Sequence, residues 1–186
     1  MGRISRQRPA VKLIAGFIFK QEKVFQEAKV IVEKYFGGID FQSPPLNFTH
    51  TDYYEKEFGA DLFKKIVSFQ KLIPPQKLPE IKILTNKAEK RLSLQNKRRV
   101  NIDPGYLDLS KLVLASTKDY AHRIYLNKGI YGEVTLFYRN KTFAAWECTY
   151  PDYRTPQYLA IFNRIRQIYA AQVNSAHVPR LSRFLP

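Results

Sequence analysis

The sequence predicts an α+β fold: a mainly antiparallel sheet of about five to seven strands with helices packed on it. Three observations predict it. An apolar run, Val11 to Phe19, stands near the start. Two segments with apolar residues at helical spacing lie toward the ends, and between Arg98 and Thr149 the apolar period falls from near 3.6 residues to near 2. Strands and helices kept in separate stretches in this way pack as helices on an antiparallel sheet.

Taken in order, Val11 to Phe19 is rich in β-branched and aromatic residues, as a strand covered on both faces should be. In Glu22 to Phe36, Val24, Phe25, Ala28, Ile31, Val32, Tyr35 and Phe36 form one stripe. Glu22, Glu27 and Glu33 alternate with Lys23, Lys29 and Lys34 on the wet side, and Gly37-Gly38 supplies the stop. Ile39 to His50 reads as extended, broken at Ser43-Pro44-Pro45. Thr51 to Leu72 reads as a second helical region, interrupted near Gly59 and ended by Pro74-Pro75. Leu78 to Gln95 suits a helix through Ile81, Leu84, Ala88 and Leu92, although Ile81 to Leu84 also alternates as a short strand. As a helix it would carry Lys82, Lys90 and Lys97 along a basic ridge.

Period-2 runs then follow at 98–103, 110–117, 121–127, 131–138 and 142–149, parted by polar turns that make neighbouring strands antiparallel. Asp103-Pro104-Gly105 is read as the first of these turns. A last helix begins with Thr155 as N-cap and Pro156 at its first position, burying Tyr158, Ile161, Phe162, Ile165, Ile168 and Tyr169. The chain reads as a single domain, 1–186, with a basic N-terminal arm at 1–10 and a C-terminal tail at 176–186.

At 186 residues and 45% hydrophobic, the chain can bury a core without staples and is too apolar for intrinsic disorder. Cys148 is the single cysteine, which excludes an internal disulfide framework and a cysteine-rich zinc site. No run approaches the roughly 20 residues of a membrane helix, and no cleavage site follows the early apolar run. A protein of the cytoplasm, without a membrane partner, is expected.

The formal charge of +15 is unevenly placed. Arg3, Arg6, Arg8 and Lys12 meet no acid at the start. Lys82, Lys87, Lys90, Arg91, Lys97, Arg98 and Arg99 face only Glu89 in the centre, and Arg154, Arg164, Arg166, Arg180 and Arg183 meet no acid at the end. The stretches between are balanced. If the basic segments meet in space, they form a face for a polyanion such as RNA or a nucleotide; if not, they are solvated tails and a helix face.

Phosphate loops, the Rossmann fingerprint and the zinc helix motif are absent, and no cofactor is indicated. His50, His122 and His177 are too scattered in sequence to name a metal site. In the run 121–127, His122, Ile124 and Leu126 should share one face, with Arg123 and Tyr125 on the other. Arg123 then needs either Glu133 across the strands or an anionic ligand, and Lys111 and Lys118 bracket the strand before it with further charge. Asp103, opening its turn, can serve as an acid or base or simply accept backbone N–H groups. At the sheet-to-helix junction, Tyr150, Tyr153 and Trp146 offer stacking faces, Arg154 a charge, and Asp152 a proton acceptor or ribose partner. The plainer alternative is a proline-fixed turn packed on the last helix. Cys148 lacks an activating histidine nearby in sequence.

Several strings together, among them Ile81-Lys82, Thr85-Asn86, Asn101-Ile102-Asp103-Pro104-Gly105-Tyr106, Lys118-Asp119, His122-Arg123-Ile124-Tyr125-Leu126, Glu133 and Tyr150-Pro151-Asp152-Tyr153, resemble the prokaryotic domain-of-unknown-function family 4416. The resemblance runs from about Val11 to Tyr169 and implies a standalone bacterial or archaeal protein with no established activity. Three functional expectations follow. One is a module binding RNA or a nucleotide through the basic segments and the Tyr-Pro-Asp-Tyr junction. The second is a small enzyme acting on a phosphorylated substrate, with Lys111, Lys118 and Arg123 holding the anion and His122, Glu133, Asp152 or Asp103 moving protons. The third is a scaffold protein.

Overall fold

A computed structural model describes residues 9–49 and 54–177. Its strands are β1 (Val11–Phe19), β2 (Ile39–Gln42), β3 (Leu46–Phe48), β4 (Leu62–Ile73), β5 (Val100–Leu107), β6 (Lys111–Ser116), β7 (Ile124–Asn127), β8 (Ile130–Arg139) and β9 (Thr142–Ala145). The helices are α1 (Glu22–Phe36), the single turn α2 (Glu55–Phe58), α3 (Leu78–Arg91) and α4 (Pro156–His177). The fold is α+β, with one antiparallel sheet in the order β2-β4-β1-β5-β6-β8-β7; β3 extends the β2 edge along β4, and β9 pairs with β8.

Both faces of the sheet are covered, which is why β1 is buried at every position. Alternation sends Leu13, Ala15, Phe17 and Phe19 to the face where α1 and α3 pack, against Phe25, Ala28, Val32, Ile81 and Ala88. Ile14, Ile66, Leu112, Leu114 and Leu136 point the other way, into Tyr158, Phe162, Ile165 and Tyr169 of α4. Thr155 caps α4, its carbonyl accepting from Leu159 N at 3.0 Å and its hydroxyl from Tyr158 N at 3.4 Å. No helix among the described residues is long and apolar enough to cross a membrane.

Three expectations fail here. The helical region expected from Thr51 to Leu72 is a single turn followed by the long strand β4, which runs between β1 and the β2/β3 edge. Its alternation was hidden because Lys64 and Lys65 both point inward. Lys65 meets Glu22 at 2.6 Å beneath the ring of Phe25, while Lys64 meets Asp152. The first basic segment also offers less surface charge than its sequence suggests: Lys12 is fully buried, held by Asp40 and by Gln172 of α4 at 2.7 Å. Burial pulls its pKa down more than Asp40 restores it. Arg3, Arg6, Arg8, His50, Thr51, Arg180 and Arg183 lie outside the described residues, as does the tail beyond 177.

The third failure shapes the site. Asp103-Pro104-Gly105 is not a turn but the middle of β5. Along its whole length β5 pairs with β1, yet it joins β6 only from Gly105 onward, opposite Leu114. Residues 100–104 and the far end of β6 therefore splay apart. Proline survives in this strand because Pro104 lies beyond the last β5–β6 pair, where no ladder N–H is required. Gly105 marks the branch point; a Cβ there would lie 2.4 Å from the carbonyl oxygen of Val113.

Candidate functional site

A strand that leaves its neighbour exposes backbone groups, and here side chains of α3 satisfy them. Glu89 Oε1 accepts the N–H of Ile102 at 2.8 Å, and Lys82 Nζ donates to its carbonyl at 3.0 Å and to Asp103 Oδ1 at 3.1 Å. Lys82 is thus buried in the splay and contributes nothing to a basic ridge. Replacing Lys82 with methionine strands a carbonyl and a carboxylate; urea unfolding should show a loss of about 1–3 kcal/mol, and wild-type stability would contradict the role given to it.

The splay opens into a cleft of about 510 Å³. Its floor is Lys64 of β4, Ile18 of β1, and Asn101 and Asp103 of β5. One wall is Ser116, Thr117, Lys118, Tyr120, Arg123 and Glu133, and the roof is Tyr150 to Tyr153 in the 3-10 turn ahead of α4. Five cations line it against four carboxylates, Glu89, Asp103, Glu133 and Asp152.

The ion pairs of the cleft are its main electrostatic feature. Lys64 Nζ bonds Asp152 Oδ2 at 2.6 Å, each side chain only 4% exposed, and sits 4.2 Å over the Tyr153 ring. Burial, the largest single influence, acts to lower the Lys64 pKa, but the charge and hydrogen bond of Asp152, with Tyr158 and Asp103 adding to them, together outweigh it and the net shift is upward. Asp103 is half-buried, which acts to raise its pKa, yet Lys82 and Lys64 hold its carboxyl below the usual range, and Asn101 donates to it at 2.6 Å. Burial pushes Glu89 upward, only partly opposed by Lys82. Arg98 clasps Glu57 of α2 at 2.7 Å and Glu89 at 3.2 Å.

Of the residues singled out from sequence, Asp103, Lys118, Arg123, Glu133, Tyr150, Asp152 and Tyr153 line this cleft. The Arg123–Glu133 pair forms at 2.7 Å, and Arg123 also donates to Ser116, to the Lys118 carbonyl and to the Tyr150 hydroxyl. Arg123 thereby ties the wall to the roof.

The others fall elsewhere. His122 and Arg123 precede β7, so strand alternation does not part them, and His122 Nε2 also reaches Glu133, at 3.2 Å, from outside the lining. Tyr125 is exposed against Tyr131 on the edge strand. Lys111 pairs with Asp108 at 3.0 Å in the β5–β6 turn, at the wrong end of β6. Arg154 donates to the carbonyls of Thr149 and Glu147, bracing the junction. Trp146 packs on Phe137 instead of the cleft, and Cys148 is exposed away from it. No group of three or more His, Cys, Asp or Glu suited to a metal ion occurs among the described residues.

Lys64, Lys82, Glu89, Arg98 and Asn101 were missed as site residues. A signal did exist: Lys82, Asn86 and Asn101 stand in the strings that carry the family resemblance. A match to the description Domain of unknown function (DUF4416) covers residues 9–169. The chain belongs to this family. No curated protein and no solved structure matches it.

Proposed function

We propose that the cleft binds a phosphorylated small molecule of nucleotide size. The observation that carries this reading is the Lys64–Asp152 pair, almost fully buried yet lining an open cleft. Removing both charges from water costs several kcal/mol per ion, and replacing such a pair with apolar side chains often stabilises a protein. A pair retained in a cleft is therefore better accounted for by ligand binding than by stability. The excess of cations in the lining favours an anion, and half-exposed Tyr120 and Tyr150 offer aromatic faces. The volume falls within the roughly 300–1,000 Å³ of small-molecule sites.

A polymer such as RNA draws less support, because Lys12 and Lys82, counted among the basic segments, are buried in ion pairs. Thermal unfolding of the full chain with ribonucleoside 5′-monophosphates and 5′-diphosphates tests the proposal. A ligand at a hundredfold its Kd stabilises by about 2.7 kcal/mol, so a clear rise in Tm is expected. No rise with any of them, alongside a gel shift with single-stranded RNA, would replace this reading with the polymer one.

Catalysis on such a ligand is a second reading, favoured by Glu89, a cleft carboxyl that burial makes a weaker acid. Phosphorus NMR of the protein with the bound nucleotide should then show a new species forming. An unchanged spectrum removes it.

A further inference from the structure

The charged groups of the cleft are internally paired, but where Lys64 of the floor meets the roof turn not every hydrogen-bonding group is used. The Tyr153 hydroxyl is buried with no hydrogen-bond partner among the described residues, and so is that of Tyr158. Both rings flank Lys64, whose ammonium lies 4.2 Å from the centre of one and 5.5 Å from the other. Of its three N–H donors, Lys64 gives one to Asp152 Oδ2 and makes no other hydrogen bond among the described residues. Buried polar groups are rarely left unsatisfied, so this cluster points to a missing partner.

A glycine leaves these groups uncrowded by any side chain from β1. β1 has glycine at Gly16, opposite Asp103 in the ladder. A Cβ there would lie 3.3 Å from Ile66 Cδ1, 3.4 Å from Lys64 Cε and 3.7 Å from the Tyr153 hydroxyl oxygen, so any side chain at this position would press on these groups.

The donors and acceptors gathered around Lys64 also say what kind of group fits. Burial first, then the charges of Asp152, Asp103 and Glu133, raise the Tyr153 pKa well above 10, so its hydroxyl keeps its proton and acts as a donor. Lys64 can only donate, and Asp152 accepts. A bare phosphate or carboxylate oxygen would use the donors but press against Asp152. A hydroxyl accepts from Lys64 and Tyr153 and donates to Asp152, using all three. We infer that the cleft receives a hydroxyl group of the ligand where its floor meets its roof, held by Lys64, Tyr153 and Asp152, so that the ligand is a phosphorylated polyol such as a ribonucleotide. This rests on the reading of the cleft as a small-molecule site.

Calorimetric titration of the full chain with ribonucleoside 5′-monophosphates and their 2′-deoxy and 3′-deoxy forms tests it. The ribo form should bind at least about tenfold more tightly than one deoxy form, the size of a lost charge-assisted hydrogen bond. Tyr153→Phe should bind both forms within about twofold of each other. Because the hydroxyl it removes has no partner in the free protein, its urea midpoint should not fall, whereas a merely structural tyrosine would lose stability. Equal binding of ribo and deoxy forms by the wild type, or discrimination kept by Tyr153→Phe, overturns the hydroxyl assignment and leaves the cleft reading standing. No binding by any of the monophosphates overturns both.

Discussion

Lys64→Met is expected to lower stability by about 3–5 kcal/mol, the cost of stranding a buried partner charge. Asp152 would be left in a site where its side chain is 4% exposed. The double variant Lys64→Met with Asp152→Leu should regain most of that loss, because a buried pair exchanged for packed apolar groups is often neutral or stabilising by about 1–4 kcal/mol. Urea unfolding of the four members of this cycle yields the coupling directly. If the double variant is as unstable as the single one, the pair is part of the structural framework and the argument for a ligand loses its main support.

The pH dependence of the same cycle has a definite sign. Burial pulls the Lys64 pKa down, and Asp152 with the neighbouring Tyr158 and Asp103 together more than offset it, leaving the folded value raised. The contribution of Lys64 is therefore complete below the free-lysine pKa of about 10.4 and is lost as pH climbs through the higher folded value. The deficit of Lys64→Met should stay flat across neutral pH and shrink in strong alkali. Asp103 has the opposite sign. Its folded pKa is depressed, chiefly because Lys82 and Lys64 outweigh burial, so its contribution is present at neutral pH and fades as acid protonates it.

How much of this was legible in the sequence follows from which forces act locally. The bounds of β1 and α1 and the cap of α4 agree with the residues because apolar period, stop and cap are written in adjacent positions. β4 was not legible: Lys64 and Lys65 find their acids at Asp152 and Glu22, far along the chain, and inward lysines break the alternation that marks a strand. Asp103-Pro104-Gly105 misled for a related reason. The residue types that make a turn also suit a strand at the place where it parts from its neighbour, and only the register of β5 against β6 tells the two apart. The junction residues Asp152 and Tyr153 were readable as candidates, but the partner that gives Asp152 its chemistry lay in the misread strand.

Gly105→Ala should therefore be the most damaging small substitution in the sheet. The added Cβ would sit 2.4 Å from the Val113 carbonyl oxygen and 2.7 Å from Leu114 Cδ2. The first obstacle is backbone inside the β6 ladder, which cannot turn aside, so β5 and β6 must separate where they now begin to pair. Overpacking of this kind costs typically about 1–3 kcal/mol, and broken ladder bonds add to it. Two other glycines calibrate the effect. At Gly132 the nearest obstacle to a Cβ is the Leu126 side chain at 3.1 Å, which is 40% exposed and free to swing away. At Gly129 nothing lies within 4 Å, and a backbone φ of +74° leaves only conformational strain of about 1 kcal/mol for alanine. Urea midpoints should thus fall furthest for Gly105→Ala. Because the branch point sets the width of the splay, that variant should also lose nucleotide binding under conditions where it remains folded, while Gly129→Ala keeps it. Equal midpoints for the three variants would mean that β5 and β6 can part at Gly105 without cost, and the cleft would then owe its shape to α3 and the roof turn instead of the strand register.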